Sequence, residues 1–191
     1  MGPVGSPAGQ GGEHSHHEHA ATRSARRRRD GDTDSVRAAP AAGADPETRD
    51  GYRRTPPLLA ALGDHVTAAE ALLAAGADPN ARDNRDDSPW LVTGMTCSVA
   101  MTRALLPAAP DLRLRNRFGG IALVPTAERG HVDCVRAVSR ETDIDVDHVN
   151  RLGWTALCKP VILDDGGRAH QEIVGLLVTA GATPHLPTVT A

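Results

Sequence analysis

Aromatic residues are almost absent from this chain. Its 191 positions hold four of them, Tyr52, Trp90, Phe118 and Trp154. A hydrophobic core must therefore be built from Ala, Leu and Val. Lysine is scarcer still: Lys159 stands alone against 20 arginines. No stretch approaches the roughly 20 predominantly apolar residues of a membrane span. The N-terminus, MGPVGSPAGQ, lacks an apolar h-region, so no secretory signal is expected. Arg26–Arg29 are followed by Asp30, Gly31 and Asp32, which excludes a twin-arginine signal. Cys97, Cys134 and Cys158 are odd in number and lack CxxC spacing, which argues against a disulfide framework or a zinc site. They read as small buried hydrophobes in a reducing compartment, most simply the cytoplasm. The net charge of −3 argues against a globally basic nucleic-acid binder.

What is present is a repeat. Gly76-Ala77-Asp78-Pro79-Asn80 echoes Gly43-Ala44-Asp45-Pro46-Glu47 at a distance of 33, and Ala109-Pro110-Asp111 is a weaker third copy. Asp50, Asp83, Asn116 and Asn150 follow at spacings of 33, 33 and 34, each five residues before Thr55, Ser88, Ile121 or Thr155. Pro56, Pro89, Ala122 and Ala156 come next. His65 stands ten residues after Thr55, and His131, in Gly130-His131, ten after Ile121. Such self-similarity is the mark of a solenoid.

Each landmark has a physical reading. Thr55, Ser88 and Thr155 are expected to cap a first helix, with Pro56 and Pro89 at the first helical position. Gly130 suits a left-handed turn after it. A second helix carries an apolar stripe in every unit: Ala68, Ala69, Leu72 and Leu73; Met101, Leu105 and Leu106; Cys134, Val135 and Val138; Ile173, Val174 and Leu177. Gly76 and Gly181 stop that helix.

The Thr55-Pro56 landmark, the Gly-His pair, the Val/Leu run and the Gly-Ala and Asn that follow resemble the ankyrin repeat, of the kind found in bacterial proteins. The resemblance covers roughly residues 20–186. It implies an all-α solenoid of helix-turn-helix units with β-hairpin-like fingers between them. The expected organisation is a disordered Gly/His-rich tail (1–19), a degenerate first unit (20–54), four recognisable units at 55–87, 88–120, 121–154 and 155–186, numbered 1 to 4 in that order, and a C-terminal tail (187–191).

Departures from the pattern predict modest stability. Ile121 replaces the capping hydroxyl, and the His expected three positions after the anchor is Leu58, Leu91, Val124 or Cys158. Pro125 and Pro160 enter first helices beyond the harmless first position, and Asp164–Arg168 reads as an insertion between two helices. Nine residues follow Gly181-Ala182, too few for a capping unit, so self-association through the uncapped last unit is expected.

Enzymatic chemistry finds little support. HExxH fails at Ala21, the EF-hand-like Asp143, Asp145 and Asp147 lack the glycine and glutamate of such a loop, and Lys159 stands outside any phosphate-binding loop. No catalytic residue, cofactor or metal ligand is assigned. A rival reading is a metal-binding protein that uses the tail residues Glu13, His14, His16, His17, Glu18 and His19. Arg23 and Arg26–Arg29 lack interleaved aromatics and are followed by acids, which argues against a nucleic-acid partner. The aromatics are more informative, because three of the four fall in fingers. Tyr52 and Phe118 share one repeat position with Arg85 and Leu152. Aromatic residues and Arg dominate interface hot spots. The expected function is non-catalytic binding of a protein partner through the fingers and the concave face. Tyr52, Arg53, Arg85, Asp86, Arg117, Phe118, Arg151 and Trp154 are the candidate contacts.

Overall fold

The computed structural model describes residues 45–163 and 167–184. The Gly/His-rich tail, most of the expected first unit, part of the insertion and the last residues lie outside that range. Among the described residues eight helices form four pairs: α1 (Pro56–Leu62) with α2 (Val66–Ala74), α3 (Pro89–Thr96) with α4 (Val99–Leu105), α5 (Leu123–Glu128) with α6 (Val132–Glu141), and α7 (Cys158–Leu163) with α8 (Arg168–Thr179). A short 3-10 turn, Leu106–Ala108, extends α4. No strand occurs among the described residues.

The pairs stack into two layers. Each first helix packs on the first helix of the next unit, and each second helix on the next second helix. The core is aliphatic, as the composition requires. Leu58, Leu72, Met101, Leu105, Leu123, Val135, Ile173 and Leu177 are buried, with small Ala60, Ala61, Ala69 and Ala127 where helices approach. The predicted stripes of the second helices supply much of it. Trp90 is the single aromatic in this layer and is wholly buried. Gly94 permits a close crossing of α3 and the start of unit 3: a Cβ there would lie 2.3 Å from the Ala122 carbonyl oxygen.

Two of the three predicted caps form. Ser88 Oγ accepts from the Leu91 amide at 3.2 Å and Thr155 Oγ1 from the Cys158 amide at 3.1 Å. Thr55 does not cap; its hydroxyl is buried without a partner. The Leu58 amide, which holds the place of Leu91 and Cys158, makes no bond to it.

The prolines expected to break helices sit harmlessly. In repeat register α5 begins one residue later than α1 or α3 and α7 two residues later, so Pro125 and Pro160 each stand third in a shortened helix. Amides of the first turn have no intrahelical acceptor to lose. In unit 3 the Ile121 carbonyl accepts instead from Val124, at 3.2 Å. Of the expected insertion in unit 4, residues 164–166 lie outside the described residues, and Arg168 opens α8, which runs for 12 residues.

Gly130 turns between helices at φ +74°, as expected, and the equivalent Asp64 and Cys97 adopt the same left-handed conformation without being glycine. Gly76 and Gly181 terminate α2 and α8 at φ +91° and +95°.

Candidate functional site

The landmark residues Asp50, Asp83, Asn116 and Asn150 build the finger tips. Each presents one side-chain oxygen to two backbone amides, two and four residues ahead. Asp50 Oδ1 accepts from Tyr52 at 2.8 Å and Arg54 at 2.9 Å. Asp83 takes Arg85 and Asp87, Asn116 takes Phe118 and Gly120, and Asn150 takes Leu152 and Trp154. An Asp or Asn side chain is short enough to fold back in this way. A pair of main-chain bonds closes each tip as well; at Asn116 its amide donates to Gly120 and its carbonyl accepts from Gly119.

The tip itself needs a left-handed residue. Gly119 and Gly153 serve in two fingers at φ +75° and +77°, and Arg53 and Asp86 in the other two at +62°. The residue just before this turn points away from the stack. That position holds Tyr52, Arg85, Phe118 and Leu152, and all four are exposed, Tyr52 at 61%, Phe118 at 52% and Leu152 at 63%. The rings are braced rather than buried. The Arg54 guanidinium lies 4.9 Å from the Tyr52 ring centre and that of Arg117 4.8 Å from the Phe118 ring. Such contacts at exposed sites are worth about 0.5–1 kcal/mol.

Neighbouring fingers are tied together. The Asn84 amide donates to the Tyr52 carbonyl and the Arg151 amide to the Phe118 carbonyl, both at 3.1 Å. Arg49 reaches the Arg82 carbonyl at 2.8 Å, and Arg151 the Arg117 carbonyl at 3.1 Å. A second ladder runs below the tips. Glu47 accepts from the Asp78 amide, Asn80 from Asp111, and Asp147 from Thr183. Arg113 holds the equivalent place between units 2 and 3, and a guanidinium cannot accept. There the surface opens into a shallow cleft of about 450 Å³ lined by Asp111, Arg113, Asp143 and Asp145.

Of the eight predicted contacts, Tyr52, Arg53, Arg85, Asp86, Arg117, Phe118 and Arg151 are exposed along one edge. Asp86 also lies 3.6 Å from Arg82. Trp154 differs: it is half-buried, with the Lys159 ammonium 4.5 Å from its ring centre. Leu152, the fourth member of the row, is absent from the predicted contacts although its repeat register marks it. The cations over the rings had no signal beyond adjacency for Arg54 and Arg117, and none for Lys159.

Charge in the fingers is finely placed. Burial works against the Asp50 carboxylate, but the Arg54 side chain and the Arg54 and Tyr52 amides outweigh it and hold the carboxyl below its usual value. Asp87 goes the other way, raised by its own burial and by neighbouring Asp83. Among the described residues, no group of three His, Cys, Asp or Glu side chains is placed to hold a metal ion. The His-rich tail lies outside the described residues. No described helix is long and apolar enough to cross a membrane.

Comparison with known proteins agrees with this architecture. A family model for the ankyrin repeat matches residues 54–84. The ankyrin repeat protein YahD of Escherichia coli strain K12 is 39% identical over 156 residues, which is 82% of this chain and 78% of the relative. The crystal structure of an ankyrin repeat domain from Acinetobacter baumannii AYE superposes with a TM-score of 0.73 at 40% identity, covering 82% of this chain and 79% of that one. The ankyrin repeat protein EF0377 superposes with a TM-score of 0.71 at 33% identity, over the same shares. With four stacked helix pairs, a period of 33 and relatives this similar over most of its length, the chain belongs to the ankyrin repeat family.

Proposed function

We propose that the chain is a non-catalytic binding module whose protein partner docks along the finger edge and the adjoining concave face. Ankyrin repeats generally serve as protein–protein interaction modules. One observation carries the more specific reading: Tyr52, Arg85, Phe118 and Leu152 project from equivalent positions, exposed, on tips held by side-chain and main-chain bonds. Rings and guanidinium groups on a rigid edge lose little freedom when a partner arrives. Arg53, Asp86, Arg117 and Arg151 supply flanking polar contacts, while Trp154 braces the last finger from below. Three cysteines, odd in number and without CxxC spacing, fit a reducing compartment such as the cytoplasm.

Photo-crosslinking tests the edge. A benzoyl-phenylalanine at position 52 or 118 is expected to capture the same cellular protein, and one at exposed Arg140 on α6 to capture none. Equal capture from position 140, or none from the fingers, would remove the finger edge as the site.

A further inference from the structure

The four landmark oxygens share one structural task but differ in chemistry: Asp50 and Asp83 serve their amides with an acid, Asn116 and Asn150 with a neutral side chain. The tips, residues 49–54, 82–87, 115–120 and 149–154, hold eight arginines against four aspartates, in a chain whose net charge is −3. All four aspartates lie in the first two tips; the last two hold Arg115, Arg117 and Arg151 and no acid. These three residues are exposed and make no ion pair among the described residues. The acceptors of the third tip are already in use. Its Arg117 carbonyl accepts from the Arg151 side chain and its Phe118 carbonyl from the Arg151 amide, both at 3.1 Å, and its Gly119 carbonyl from the His148 ring at 2.8 Å. Gly119 makes room for this, since a Cβ there would lie 2.7 Å from Arg151 Cγ. The Arg151 side chain thus lies across the third tip and ends at the Arg117 backbone, while the Arg117 guanidinium rests on the Phe118 ring. What the tip offers outward is guanidinium donors and one ring.

We propose that Arg115, Arg117, Arg151 and Phe118 take an acidic segment of the protein partner, a run of Asp or Glu beside an apolar side chain. This rests on the finger edge being the docking surface. A guanidinium meets a carboxylate with two parallel hydrogen bonds, and the apolar neighbour packs on the Phe118 ring. Asn116 and Asn150 keep the amide bonds of their tips without the negative charge that an Asp would bring, so an arriving carboxylate meets no like charge there. The bonds that fix the third tip beforehand reduce the ordering that binding must impose. Nucleic acid is the weaker fit. A single strand stacks on successive rings, and Phe118 is the one exposed ring of these two tips.

The experiment is a fluorescence-anisotropy titration of a labelled Glu-Glu-Phe-Glu-Glu peptide with the full chain, beside its Gln-Gln-Phe-Gln-Gln counterpart. The glutamate peptide is expected to bind about tenfold more tightly. Its binding should weaken as salt shortens the Debye length from about 30 Å at 0.01 M to about 8 Å at 0.15 M. Arg117→Gln combined with Arg151→Gln is expected to remove the preference for glutamate, and Arg140→Gln, on α6, to keep it. Asn116→Asp is expected to weaken the glutamate peptide about threefold, the size of one unit-charge contact near water, at an unchanged melting temperature. Equal binding of the two peptides, an equal loss in Arg140→Gln, or an oligouridylate bound more tightly than the glutamate peptide would overturn the acidic partner. Crosslinking from position 118 reads the edge itself, so capture there together with no preference for glutamate would sink this inference and leave the finger edge in place.

Discussion

Trp90 and Phe118 are both large aromatic side chains, yet the structure treats them in opposite ways. Trp90, on α3, has no solvent-exposed surface; Phe118, on a finger, is half-exposed and rests on a guanidinium. Repeat position decides the difference. A helix position faces the neighbouring unit and is filled on both sides. The finger position stands at the rim, and its backbone is fixed without help from the ring. The helical layers therefore carry the stability, and the tips, the proposed place of recognition, are free of that task.

The contrast is broken most severely at Trp90. Trp90→Ala should lose about 3–5 kcal/mol, by cavity formation, and urea denaturation would read it. A loss under 1 kcal/mol would show that the layer is loosely packed; the buried indole N–H, which has no partner, already works against the native ring.

Next is the finger scaffold. Asn116→Ala strands the Phe118 and Gly120 amides that its oxygen serves. A loss of about 1–3 kcal/mol is expected, with Asn116→Asp nearly neutral because the acceptor is kept. Equal losses in the two variants would mean that the acceptor is not what matters.

Arg113→Asn should act in the opposite direction. It supplies the acceptor that Asn80 provides one unit earlier, and a gain of about 0.5–1.5 kcal/mol is expected. No change in the urea midpoint would show that the ladder contributes nothing at this junction.

The smallest of these effects is the pH dependence at Asp87. Its folded pKa is raised above the ordinary 3.8. The folded chain therefore holds that proton more tightly, and the associated stability is lost as pH rises through the raised value. Asp87→Asn should lift the melting midpoint slightly at neutral pH, with the gain gone below the ordinary carboxylate range. A gain independent of pH would assign the effect to packing.

The fold was legible because period and chemistry agreed. The Asp/Asn series at 50, 83, 116 and 150 marked the fingers by spacing alone, and the structure gives the reason: a side-chain oxygen serving two amides. Local exceptions were misread. Pro125 and Pro160 look like helix breakers until the helices start late enough to absorb them. Thr55 looks like a cap, yet its hydroxyl finds no donor in the structure. The exposed row Tyr52, Arg85 and Phe118 was legible because it stands on the most regular part of the repeat.

The most direct test compares two variants in two assays. Tyr52→Ala, Arg85→Ala and Phe118→Ala are combined in one chain, and Leu72→Ala is made in another. Thermal unfolding and binding to the protein crosslinked from position 118 are measured on both. The finger variant should melt within a few degrees of wild type and lose binding at least tenfold, since a hot-spot truncation costs about 2 kcal/mol or more. Leu72→Ala should melt far lower, by the roughly 2–5 kcal/mol of a core cavity, and bind normally at temperatures where it remains folded. A finger variant that unfolds as readily as Leu72→Ala, or that binds like wild type, would contradict the separation of stability from recognition.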